Sequence, residues 1–132
     1  MRNATLAVVS LVLLTIPALA QTSQPDPHSV PSVDGGIGPC TADFTITDAN
    51  GKPVYAAKVS VRIAYGFASI RKLDLEVGTN VDGKARFTGI PNRVKHGLYF
   101  EATESDRFGN AFDDPSATCN AQFAITIRKK TQ

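Results

Sequence analysis

The stretch from Ala42 to Pro91 contains two turn clusters, Asp48-Ala49-Asn50-Gly51-Lys52-Pro53 and Asn80-Val81-Asp82-Gly83-Lys84. Each precedes a run in which alternate residues are apolar: Ala57, Val59, Val61 and Ile63 after the first, Ala85 and Phe87 after the second. Asn-Gly and Asp-Gly supply the positive φ of a tight turn, and period-2 patterning marks a strand with one buried face. The stretch therefore reads as a β-meander.

Working outward, the same alternation predicts six strands. Strand one starts at Cys40, with Ala42, Phe44 and Ile46 in phase with it. Strands two to four are 57–65, 72–78 and 84–88, the last stopped by Gly89-Ile90-Pro91 because proline cannot donate to a ladder. Strand five is 98–103, with Leu98, Phe100 and Ala102 as the more apolar set and Tyr99 as a second candidate for burial. Strand six is 120–128, and a short extra strand fits around 107–112. No window sustains helical periodicity. An all-β antiparallel β-sandwich of six or seven strands over residues 40–130 follows.

Two segments precede it. Residues 1–20 read as a signal peptide: Arg2, an apolar run from Leu6 to Ile16, and Ala18-Leu19-Ala20 as a small-x-small cleavage site. The run is shorter than the roughly 20 apolar residues a bilayer span needs. Processing would leave a chain starting at Gln21, secreted or periplasmic, with no stable membrane insertion. Residues 21–39, with Pro25, Pro27, Pro31 and Pro39 and three glycines, offer little to bury and read as a flexible, disordered tether.

Bulk chemistry narrows the partners. The 132 residues are 42% hydrophobic and 20% charged, enough for one folded domain. Loss of Arg2 with the leader lowers the formal charge from +2 to +1. That excludes nucleic acid, because each phosphate contact needs its own cation. A protein or glycan outside the cytoplasm remains as partner.

Cys40 and Cys119 are in phase with the buried faces of the first and last strands. In an oxidising compartment they should form a disulfide that joins the sheet's beginning to its end. Their separation is too long for a redox or zinc pair.

Two stretches resemble known signatures. Gly51-Lys52-Pro53-Val54-Tyr55-Ala56-Ala57-Lys58-Val59 resembles the Gly-x-Pro-Val-x-x-Ala-x-Val opening of carboxypeptidase regulatory-like domains. Thr79 to Pro91 resembles their second signature, a Thr, an Asp-Gly turn, a small-x-Phe strand and Gly-Ile-Pro. The resemblance implies a transthyretin-like (prealbumin-like, Ig-like) sandwich used as an accessory or adhesion module without catalysis.

Chemistry-bearing residues are few. His28 lies in the tether and His96 has no partner at acid/base spacing, so no catalytic residue is assigned. A hydrolase of transthyretin-like fold is the least favoured alternative. The acidic loop 104–114 offers Asp106, Asn110, Asp113 and Asp114, beside Glu104, as oxygen donors for calcium, the one cofactor considered. Arg93, Lys95 and His96 read as strand-end solubilisers. Ala64-Tyr65-Gly66-Phe67-Ala68 breaks the alternation, either burying Tyr65 and Phe67 or presenting them to a partner. The resulting expectation is a non-catalytic binding or structural module acting through loops or sheet edges, with a small-ligand or calcium-binding protein as the alternative.

Overall fold

The computed structural model describes residues 11–19 and 24–131. They form nine strands in two packed sheets: β1 (Ser32–Asp34), β2 (Cys40–Thr47), β3 (Lys58–Tyr65), β4 (Arg71–Gly78), β5 (Lys84–Ile90), β6 (Leu98–Glu104), β7 (Arg107–Asp113), β8 (Asn120–Thr126) and β9 (Arg128–Lys129). One sheet has the order β1-β5-β2-β8 and the other β4-β3-β6-β7-β9. A 3₁₀ turn at Phe67–Ser69 is the one helical element among the described residues. None of their helices is long and apolar enough to cross a membrane.

The alternation places the core as expected. Ala42, Phe44 and Ile46 of β2, Val59, Val61 and Ile63 of β3, and Leu98, Phe100 and Ala102 of β6 are all buried. Four phenylalanines meet at the centre. Phe44 lies 5.7 Å from Phe87, 4.9 Å from Phe100 and 5.7 Å from Phe123, ring centre to ring centre. They come from β2, β5, β6 and β8, so both sheets contribute to one aromatic contact set. Tyr99, a second candidate for burial, is 66% exposed, because the parity of β6 turns it away from Phe100.

Three expectations need correction. The stretch 42–91 is not a meander in one sheet. β2 pairs with β5 and β3 with β4, so both turn clusters carry the chain from one sheet to the other. The turns themselves form: Gly51 and Gly83 have φ of 77° and 72°. Asp48 Oδ1 accepts from the N–H groups of Asn50 and Lys52, and Asn80 Oδ1 from those of Asp82 and Lys84. A tight turn specifies a local reversal, and the residues after it decide whether the chain pairs beside or across. Here Val54 and Thr79 fill the space between the sheets and carry the crossing. Thr79 Oγ1 accepts from Ala57 N–H at 2.9 Å and donates to the Val54 carbonyl at 2.6 Å, both buried.

The sandwich is also not wholly antiparallel. β8 lies parallel to β2 over Thr41–Thr47, and β1 parallel to β5. After Thr126 the chain changes sheets, so the expected last strand, 120–128, splits into β8 and β9.

Third, the segment 27–39 is docked, not free. Ser32–Asp34 is a strand against β5, and Gly35 and Ile37 N–H groups donate to Thr88 and Gly89 at 2.9 Å. Upstream, Asn80 Nδ2 donates to the carbonyls of His28 and Ser29, both at 3.1 Å. Val33 and Ile37 pack against the core. These two apolar residues were the overlooked signal; backbone pairing does the rest. Arg2 and the Ala20 side of the leader's cleavage site lie outside the described residues; residues 11–19 have no regular structure and are exposed.

Candidate functional site

The two cysteines are joined. Cys40 and Cys119 form a disulfide across 79 residues, with Cys40 1% exposed. It lies at the end of the sandwich where β2 and β8 begin and β7 ends.

The acidic loop does not gather a calcium site. Most of it is strand β7, which directs successive side chains to opposite faces. Asp106 sits 3.5 Å from Lys129 Nζ, and Asn110 stands opposite Glu101 on the outer face of the sheet. Asp114 is occupied by the N–H and hydroxyl of Ser116, at 3.1 and 2.7 Å. Asp113 is 8% exposed, and burial, with the neighbouring Asp114 second, raises its pKa. Glu104 is paired with Arg107, whose hydrogen bond lowers the glutamate's pKa. Among the described residues no group of three His, Cys, Asp or Glu converges as a metal site requires.

Tyr65 and Phe67 part company. Tyr65 ends β3 and packs against the core, whereas Phe67 is 93% exposed at the tip of the β3–β4 hairpin. Ile70 beside it is 73% exposed. The solubilising residues come back to this tip: Ser69 and Lys72 share one shallow depression with Val94, Lys95 and His96 of the β5–β6 loop. His28 is not a free tail residue. Its Nδ1 lies 2.9 Å from Asp82 Oδ2, a hydrogen bond that raises the imidazole pKa.

The most developed surface had not been singled out. On the outer face of the five-stranded sheet, Tyr99 of β6 pairs with Phe112 of β7. Their ring centres are 5.0 Å apart at 53°, and Phe112 is 51% exposed. In line with them, Arg62 and Asp74 form a two-point contact, Nε to Oδ1 at 2.8 Å and Nη2 to Oδ2 at 3.2 Å. The next row holds Glu76, Ser60, Glu101 and Asn110 in cross-strand register. Arg62, Asp74, Tyr99 and Glu101 line a shallow groove that runs to Gly97. The aromatic edge and the polar rows together offer a ring-stacking floor with donors and acceptors around it. A signal for the pairing existed. Placing a two-residue turn at Ser105-Asp106, where Ser105 takes φ 52°, sets Tyr99 opposite Phe112 by counting.

Comparisons with known proteins complete the description. No family model matches the chain. No curated protein matches it. Among solved structures, the chain is similar to 3-chlorocatechol 1,2-dioxygenase from Rhodococcus opacus 1CP, at 13% identity, 89% of this chain, 69% of that one and a TM-score of 0.48. Hydroxyquinol 1,2-dioxygenase from Pseudomonas putida DLL-E4 gives 14%, 78%, 63% and 0.47. Catechol 1,2-dioxygenase from Pseudomonas arvilla C-1 gives 13%, 78%, 60% and 0.46. The chain thus spans 60% of the length of the last of these enzymes.

These matches correct the expectation of a non-catalytic module: the solved structures that it resembles are enzymes, dioxygenases. The expectations of no enzymatic role, and of no cofactor other than calcium, are withdrawn with it. At such identity and TM-score, no residue role, substrate or cofactor passes from them to this chain.

Proposed function

We propose that this chain supplies an exported β-sandwich domain that binds a carbohydrate on the outer face of its five-stranded sheet. One observation carries the reading: Tyr99 and Phe112 stand ring by ring in water, on regular strands, with Arg62, Asp74, Glu101 and Asn110 around them. The C–H face of a sugar ring covers an aromatic side chain, while its rim of hydroxyls needs both donors and acceptors. On this face Asp74 and Glu76 are balanced by Arg62 and Lys58, and Glu101 is in no ion pair among the described residues, so the face has no excess of cations for phosphates and suits a neutral or cationic sugar.

The leader chemistry of Arg2 to Ala20 and the Cys40–Cys119 disulfide support a place outside the cytoplasm, secreted or periplasmic, where glycans are the accessible polymers. The signatures at 51–59 and 79–91 support a carboxypeptidase regulatory-like sandwich as the finer family reading.

The chain has no tryptophan and Tyr99 is one of its three tyrosines, so the part of the tyrosine emission lost in Tyr99→Ala reports on the site. Titration with a panel of neutral and amino-sugar oligosaccharides should change that emission saturably for at least one. Tyr99→Ala should abolish the change, and Phe112→Ala, followed calorimetrically, should weaken binding about tenfold or more. A flat calorimetric and fluorescence response across the panel overturns the proposal. Analysis of the same mixtures for cleaved or oxidised sugar shows whether the bound ligand is also turned over.

A further inference from the structure

Adjoining the Tyr99 groove through Arg62 and Gly97, the β3–β4 tip presents apolar side chains that no other described residue covers. Phe67 is 93% exposed and Ile70 73%. They lie beyond the end of β3, Phe67 as the first residue of the 3₁₀ turn and Ile70 immediately after it. Basic residues lie in the same hairpin tip and in the neighbouring β5–β6 loop. Arg71 lies against Gly66, where a Cβ would come within 3.6 Å of the arginine Cδ. Lys72 shares a depression with Lys95 and His96, and Arg93 is exposed in the same loop. Among the described residues none of Arg71, Lys72, Arg93 and Lys95 is in an ion pair. The carboxylates at this end are engaged or buried: Asp34 accepts from Gly36 N–H, Asp114 from Ser116, and Asp113 is 8% exposed.

We infer that this tip docks the domain on an anionic bilayer surface, with Phe67 and Ile70 entering the headgroup boundary and Arg71, Lys72, Arg93 and Lys95 against the lipid phosphates. A projecting aromatic and aliphatic pair inside a cationic collar matches a soft, negatively charged plane. The contact is interfacial and reversible, since two side chains cannot hold a chain in a membrane as a spanning helix does. The inference is independent of what the Tyr99 face binds.

Vesicle sedimentation of the chain recovered after export tests it. Phosphatidylglycerol vesicles should retain the protein, phosphatidylcholine vesicles should not, and about 0.5 M salt should release it, because screening then acts over only a few ångströms. The pair Phe67→Ser and Ile70→Ser should weaken partitioning about tenfold or more, and Lys72→Glu with Lys95→Glu should abolish it, with melting temperatures unchanged. Equal retention of parent and tip variants overturns the inference. So does adsorption to neither vesicle; a photocrosslinker at position 67 that then captures a protein would assign the tip to a protein partner.

Discussion

The two ends of the sandwich are held by different chemistry. At one end, the connections 48–57 and 79–83 are fastened by side chains bonded to the backbone. Asp48 and Asn80 each accept from two N–H groups, and Thr79 both accepts and donates in the buried space between them. At the other end the connections carry fewer such bonds, and a disulfide secures the start of β2 to the start of β8. The first end is held at three side chains, each with specified backbone partners. The second is clamped at one covalent point, leaving the β3–β4 tip free to expose Phe67 and Ile70.

The largest expected effect tests the clamp. Replacing Cys40 and Cys119 together with alanine should cost about 4 kcal/mol, the loop-closure entropy of a cross-link spanning 79 residues. Denaturant unfolding measures it. Hydrogen exchange should rise first at Cys40–Ala42 and Ile90, with the Asp48–Lys52 turn retained. Early loss of that turn would break the division between the two ends.

A smaller loss should follow from Asn80→Ala. The change removes two accepted and two donated hydrogen bonds at a residue 5% exposed, which should cost about 1–3 kcal/mol. The donated bonds run to the His28 and Ser29 carbonyls, so exchange protection of residues 27–31 should fall beyond the global loss. Equal protection in variant and parent would show that β1 alone holds that segment.

The smallest effect is a pH dependence at the same place. The hydrogen bond and charge of Asp82 raise the pKa of His28. A group whose pKa is higher folded than unfolded contributes fully below its unfolded value, about 6.5, and loses the contribution as pH rises through the folded value. Protection of residues 27–31 should therefore decline as the pH passes upward beyond about 6.5, and His28→Gln should make it flat. A decline that persists in His28→Gln would assign it to another group.

Strand positions and faces were legible because they are local. Val59, Val61 and Ile63, or Leu98, Phe100 and Ala102, announce a buried face two residues at a time, and the structure buries each of them. The turn residues were equally legible, down to the positive φ of Gly51 and Gly83. β1 was not, because three residues of Ser-Val-Asp carry almost no pattern and are held by backbone bonds to β5, which any sequence can make. The acidic loop misled for a related reason. Its carboxylates are close along the chain, but β7 points alternate residues to opposite faces and disperses them.

What lay within the sequence itself was the secondary structure, the inward set of residues and the cysteine pair, since period, turn chemistry and phase act over a few residues. Which sheet each strand joins came only with the tertiary structure, because Asp48–Pro53 and Asn80–Lys84 reverse the chain equally well beside a partner or across the core. The same holds for the meeting of Lys72 with Lys95, residues far apart in the chain that are brought together by how two apolar faces pack and by no local preference.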